Sequence, residues 1–282
     1  MNPRILAITG MHRSGTSLVA EYLQACGLFI GDRLRDGGEL ECGSRAGHHE
    51  DLAFMSFGDR ALQAAGVGPF PADGCALPIC GDRIDRERAE ALFSERTQHR
   101  QWGWKDPRTC LMLDFWHQQH TDLSYLFMIR DPVEAVSSLV RRNRDRHIVD
   151  QPVLGLKTWL IYNGEILRFY RSHAPNCFVL EFDSLTNPDD DVIGRVAETF
   201  DFNLARRPIG EVMEERFIGR GIAPAVETAR ARHRDLFVEA TNLYRRLLTC
   251  AEESRLRKGN RPAGTERQPW SDPWVRWREA QR

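Results

Sequence analysis

A short apolar run, Ile5-Leu6-Ala7-Ile8, leads into Gly10-Met11-His12-Arg13-Ser14-Gly15-Thr16-Ser17. Leu18, Val19, Tyr22, Leu23 and Cys26 then recur at helical spacing, and Gly27 is a natural stop. This order, strand over Arg4 to Thr9, turn over Gly10 to Gly15, helix over Thr16 to Cys26, leaves few folds open. Glycines permit a tight turn. Successive backbone N–H groups converge on an anion, and the helix N-terminus adds partial positive charge. The nucleoside-triphosphatase form of such a loop is G-x-x-x-x-G-K-[ST]. Here Thr16 takes the lysine position, and Arg13 brings a cation from inside the loop instead.

Further along, strand and helix patterns alternate. Strands are expected at Trp102 to Lys105, Leu123 to Ile129 and Cys177 to Glu181. Helices are expected over Glu50 to Ala65, Ile84 to His99, Thr109 to His117, Val133 to Asn143, Val153 to Ser172 as an amphipathic helix, and Asp189 to Phe200. Pro132 suits a first helical turn. Gly31 to Gly47, rich in glycine and charge, reads as a loop. So does Gly66 to Gly81, with three prolines and four glycines. Pro224 opens a last helical stretch to about Arg257. The pattern implies an α/β fold, P-loop-like and three-layered, with a central mostly parallel sheet and a helical C-terminal extension. One domain spans 1–257. The segment 258–282, with Pro262, Gly264, Pro269 and Pro273, is expected to be a loose tail that Trp270, Trp274 and Trp277 dock.

Composition narrows the function. Lys plus Arg number 39 against 40 Asp plus Glu, so bulk charge gives no reason to expect nucleic acid as a partner. No run reaches the ~18 apolar residues of a membrane span. The N-terminal apolar run ends at His12, too soon for a secretory segment. Seven cysteines at scattered positions, none in a Cys-x-x-Cys pair, read as reduced thiols of a cytoplasmic protein. Cys42 with His48 and His49 lacks a fourth ligand at a usual spacing, so no metal is expected.

A second cluster is Arg130-Asp131-Pro132 followed by Ser138. Arg130 leaves the carboxyl end of a parallel strand, where ligands bind in open α/β sheets. Ser138 and Arg130 reach one anion if the chain folds back at Pro132. Taken together, these residues resemble the sulfotransferase family that uses 3′-phosphoadenosine 5′-phosphosulfate, in its bacterial form. Gly10 to Leu18 is similar to that family's 5′-phosphosulfate loop, with Arg13 where cytosolic small-molecule enzymes usually carry lysine. Arg130-Asp-Pro with Ser138 is similar to its 3′-phosphate motif. Trp104-Lys105-Asp106-Pro107-Arg108 resembles a Lys-Asp-Pro segment of the same branches. Glu181-Phe182-Asp183-Ser184-Leu185 resembles a later Tyr-Glu-Asp-Leu motif, from which Phe182 and Asp183 depart. The landmarks run in order from residue 5 to about 200.

The resemblance implies transfer of a sulfuryl group from that nucleotide to a hydroxyl or amine of a small-molecule or carbohydrate acceptor. His12, Arg13, Ser14, Gly15, Thr16 and Ser17 would take the donor's 5′ end, and Arg130 and Ser138 its 3′-phosphate. Arg13 and Lys105 would stabilise charge on the departing oxygen. In Gly47-His48-His49-Glu50-Asp51, Glu50 is the favoured general base, with His48 and His49 as competitors. The basic run Arg141 to His147 reads as a helix end that could also touch the 3′-phosphate or an anionic acceptor. Two other readings are a P-loop nucleotide or small-molecule kinase, disfavoured by Thr16, and a non-catalytic nucleotide-binding module, disfavoured by Arg13, Arg130 and Ser138.

Overall fold

The computed structural model describes residues 3–35, 48–72, 79, 84–213 and 221–257. Four strands form one all-parallel sheet: β1 (Arg4–Gly10), β2 (Gln101–Lys105), β3 (Ser124–Ile129) and β4 (Cys177–Glu181), in the order β2-β1-β3-β4. Side chains alternate between two faces, as the pleat requires. Ile5, Ala7, Tyr125, Phe127, Ile129 and Val179 enter one core, and Leu6, Ile8, Leu126, Met128 and Leu180 the other. Both faces are apolar because both are covered, which is the condition for a parallel sheet.

The thinner layer is α1 (Thr16–Ala25) and a helix over Val192–Phe200. The thicker layer holds α2 (Leu52–Ala65), α3 (Arg86–Ser94), α4 (Leu113–Gln119), α5 (Pro132–Arg142), α6 (Arg146–Asp150) and α7 (Pro152–His173). A five-residue helix, α8 (Phe182–Thr186), follows β4, and the Val192–Phe200 helix is α9. Then come α10 (Pro224–Arg232) and α11 (Arg234–Leu256).

Several expectations need correction. Residues 224–257 are two helices, broken at His233. The sequence there carries no glycine or proline to break it. Packing does so: α10 lies against α5 and α7, while α11 lies against α7 and β4. The α7 helix is not amphipathic in use. It is buried on nearly every side, Asn163 and Glu165 included, because α5, α10 and α11 surround it. The helix expected from Glu50 starts at Leu52, where Asp51 caps it by accepting from the Ala53 N–H at 2.8 Å. That carboxylate also pairs with buried Arg96 at 2.7 Å, whose guanidinium lies 5.0 Å from the Phe54 ring centroid. The helix expected over Ile84 to His99 is confined to Arg86–Ser94, and that over Thr109 to His117 is a 3₁₀ turn, Pro107–Met112, leading into α4. The helix expected from Asp189 begins at Val192, capped by Asp191. The tail and its three tryptophans, Cys42, and half of the 66–81 loop lie outside the described residues. No helix among those described is long and apolar enough to cross a membrane.

Candidate functional site

β1 ends at Gly10, where φ is 152° and an added Cβ would stand 2.3 Å from the Met128 carbonyl oxygen. Only glycine lets the turn pass this close to β3. Gly15, at φ 93°, occupies the N-cap of α1, and a Cβ there would meet the Phe182 ring at 2.5 Å. In α2, α3, α5 and α9 an aspartate side chain caps the first turn. The first turn of α1 has neither a side-chain cap nor an acidic residue. Ser14 is fully buried, and its hydroxyl has no hydrogen-bond partner among the described residues. A loop of this shape, with uncapped N–H groups and an orphaned hydroxyl, fits an anionic group such as a phosphosulfate.

The two sequence-distant motifs meet. Arg13, itself at φ 69°, donates from Nε to Ser138 Oγ at 3.0 Å. Arg130 donates from Nη1 to the Arg13 carbonyl at 3.4 Å. Asp131 caps α5 and Pro132 opens it, so the chain does fold back and carries Ser138 beside the loop. The Arg130 guanidinium lies 4.2 Å from the centroid of Phe182, and the Trp159 indole N–H donates to the Arg130 carbonyl at 3.1 Å. Glu134, one turn along α5, pairs with Arg130 at 3.0 Å. That partner was not anticipated, because Arg130 precedes the helix and reaches Glu134 only through the turn at Asp131 and Pro132.

Lys105 ends β2 and points at Glu50: Nζ lies 3.0 Å from Oε1 and donates also to the His48 carbonyl at 3.0 Å. Asp106, the next residue, is paired with Arg108 at 2.8 Å. The second oxygen of Glu50 accepts from Arg35 at 3.2 Å. Burial alone would raise the Glu50 carboxyl, but the charge and hydrogen bond of Lys105 outweigh it, and it is held at about 2. Ser17 donates from Oγ to the His48 carbonyl at 3.2 Å, which ties α1 to this segment. Thr16 is buried at the same turn.

The histidines separate. His49, at φ 52°, is held against Gln24 at 3.1 Å and Glu21 at 3.6 Å on α1, so it braces the scaffold. Burial, with the Lys105 charge, lowers His48 to about 4. His12 is lowered to about 3 by burial, partly opposed by Glu50, and its Nε2 has no hydrogen-bond partner among the described residues. Its ring lies 4.7 Å from Phe70 and 5.8 Å from Tyr162. Tyr162 and Thr158, one turn apart on α7, donate to the Pro69 and Pro71 carbonyls at 2.9 Å each, so a strap holds Phe70 over His12.

The basic run is partly self-neutralised: Arg142 pairs with Asp145, and Arg146 with Asn143 and Asp150. Among the described residues no cluster of three or more His, Cys, Asp or Glu side chains could hold a metal ion. Phe57, Trp159 and Phe169 are core residues. A separate cavity of about 410 Å³ lies beside α2 and α3, lined in part by Arg33, Asp51, Arg60, Arg88 and Arg96, with none of the Gly10–Ser17 loop in its wall.

No protein-family model matches the sequence, and no curated protein matches it. Solved structures do. The crystal structure of a sulfotransferase from Alicyclobacillus acidocaldarius superposes with a TM-score of 0.51 over 89% of this chain and 96% of that one, at 16% identity. Sulfotransferase domains of the curacin biosynthetic pathway and of the Synechococcus PCC 7002 olefin synthase are also similar. They have TM-scores of 0.46 and 0.45, identities of 10% and 14%, and cover 82% and 91% of this chain and 97% and 95% of theirs. The likeness to the Alicyclobacillus structure defines the class: a P-loop-like α/β protein with an all-parallel sheet. Within that class, the chain has the sulfotransferase fold.

Proposed function

We propose that this protein is a sulfotransferase that moves a sulfuryl group from 3′-phosphoadenosine 5′-phosphosulfate to a hydroxyl or amine of a small-molecule or carbohydrate acceptor. The observation that carries the reading is the hydrogen-bonded meeting of Arg13, Ser138 and Arg130, drawn from the segments that follow adjacent strands β1 and β3. A donor with anionic groups at two ends needs two cationic sites in one crevice, and neighbouring parallel strands supply them.

The loop from His12 to Ser17 holds the 5′ end through its N–H groups, the Ser14 hydroxyl and Arg13. Arg130 and Ser138 hold the 3′-phosphate. Glu50 takes the proton of the acceptor. Its carboxylate is a weak base while Lys105 sits on it. As negative charge grows on the bridging oxygen, Lys105 turns to that oxygen and releases Glu50, whose basicity rises when it is wanted. Arg13 adds its charge to the same oxygen. The bond from sulfur to the bridging oxygen breaks, its electron pair stays on the departing phosphate, and the acceptor atom bonds to sulfur.

Titration calorimetry with adenosine 3′,5′-bisphosphate and 5′-AMP tests the reading. Loss of a charge-assisted hydrogen bond costs about 1.5–3 kcal/mol, so the bisphosphate should bind roughly 10- to 150-fold more tightly. Equal affinities would remove the 3′-site. Incubation with ³⁵S-labelled donor and a panel of hydroxyl and amine acceptors then identifies the product.

A further inference from the structure

The cavity beside α2 and α3 encloses about 410 Å³, the size of a small-molecule site. Three segments bring arginines to its wall: Arg33 ahead of α2, Arg60 on α2, and Arg88 and Arg96 on and just after α3. The backbone fixes the first of these. The Leu52 N–H donates to the Arg33 carbonyl at 2.9 Å and the Arg35 N–H to the Glu50 carbonyl at 2.8 Å, an antiparallel pairing. Arg96 is only 4% exposed. It donates to Asp51 and to the Leu92 carbonyl at 2.7 Å each, yet its buried Nε has no hydrogen-bond partner among the described residues. A buried donor on a charged group is costly to leave unmade, which points to an acceptor that the protein does not supply.

Three carboxylates share the wall. Asp51 is engaged by Arg96 and by the first turn of α2. Glu95 lies 3.1 Å from Arg88 and 3.7 Å from Arg96. Arg88 and Glu95 are both exposed, and a pair of that kind is weak, so Arg88 can turn to another anion. Asp32 is exposed. The guanidinium groups of Arg33 and Arg60 meet no carboxylate at ion-pair distance among the described residues, and Arg60 donates to Ser56 Oγ at 3.1 Å.

We propose that this cavity binds an anionic monoester, phosphate or sulfate, of a sugar-sized polyol. Guanidinium forks match the oxygens of such a group. The volume exceeds what a bare inorganic ion fills. The wall, apolar only at Leu52 and Ala53, suits a hydroxylated body. None of the residues assigned to the sulfuryl donor lines the cavity, so the site stands independently of the sulfotransferase reading.

The test is calorimetry at low salt with glucose 6-phosphate, glucose 6-sulfate and glucose, on the wild type, Arg33→Ala and Arg60→Ala. Thermal melts verify folding, and adenosine 3′,5′-bisphosphate is added in a second series. At least one ester should bind the wild type while glucose does not, and the tighter ester identifies the anion. Each variant should lose about tenfold in ester affinity. The bisphosphate should not displace the ester, and its own affinity should be the same in all three proteins. Absence of ester binding at millimolar concentration overturns the proposal, as does glucose binding equally well. Folded variants that bind the ester like the wild type overturn it too. An ester displaced by the bisphosphate would lie in the donor crevice, and the cavity would lose its assignment. A wild type that ignores the bisphosphate but binds the ester removes the donor reading alone.

Discussion

Lys105 and Glu50 form a buried ion pair, Nζ to Oε1 3.0 Å, that joins the end of β2 to the segment preceding α2. Two groups with separate roles in the proposed chemistry therefore begin the reaction bound to each other. Arg35 holds the other carboxylate oxygen, so Glu50 keeps one ion pair when Lys105 leaves.

Glu50→Gln should lower kcat by about 10²- to 10⁴-fold, because the amide keeps the shape and cannot take the proton. Donor affinity should stay nearly unchanged. Steady-state kinetics with varied donor, together with direct donor binding, separates the two quantities. Near-normal kcat would send the search for the base to His48 and His12. Lost donor binding would make Glu50 a brace for the loop.

Acid stability should carry two signatures. The Glu50 carboxyl, held at about 2 in the fold, ionises near ~4.5 when unfolded, so its contribution is complete above ~4.5 and fades as pH falls toward 2. His12 acts in the same direction over a higher window. Its folded value is about 3 against ~6.5 unfolded, so below ~6.5 the unfolded chain binds the extra proton and stability drops until about pH 3. Urea midpoints between pH 7 and 4 should fall less steeply for His12→Asn than for the wild type. Parallel curves would place His12 in contact with solvent.

Arg130→Ala and Arg13→Ala should differ. The first removes a ground-state contact, so donor affinity falls and kcat at saturating donor recovers in part. The second should damage both, since Arg13 meets the 5′ end before reaction and the bridging oxygen during it. Donor-binding isotherms and kcat for the two variants decide this. A kcat for Arg13→Ala equal to that of the wild type at saturation would confine Arg13 to binding.

Turnover should persist in excess EDTA, because the donor has no triphosphate for a cation to bridge and the loop has Thr16 in place of the usual lysine. Activity lost completely and restored by Mg²⁺ would favour the kinase reading.

The loop and the sheet were legible in the sequence because each rests on local rules. Gly10 and Gly15 mark a turn, and unbroken apolar runs mark strands buried on both sides. The Arg13–Ser138 hydrogen bond was not legible: the resemblance set Arg13 at the donor's 5′ end and Ser138 at its 3′-phosphate, and nothing local shows that residues 125 positions apart share a hydrogen bond. Lys105 was read as a cation for the departing oxygen, and its pairing with Glu50 was hidden because it depends on how β2 and the 48–50 segment come together in space. The break at His233 and the burial of α7 were hidden for the same reason: both follow from which helices pack on which, and no residue type announces that.

Phe182 lies under the Arg130 guanidinium and against the backbone of Gly15 at once. One ring is thus a mechanical spacer between the two ends of the proposed nucleotide. Its thickness sets how far apart the two anion-holding groups can stand. Widening the loop by a single methyl at Gly15 would push the ring toward Arg130, and thinning the ring would let the guanidinium sink. If the nucleotide lies as proposed, the distance between 5′ and 3′ groups is set by a residue that contacts neither group through charge, and Gly15→Ala with Phe182→Leu should change nucleotide choice by less than their separate effects sum to, because the smaller side chain makes room for the added methyl.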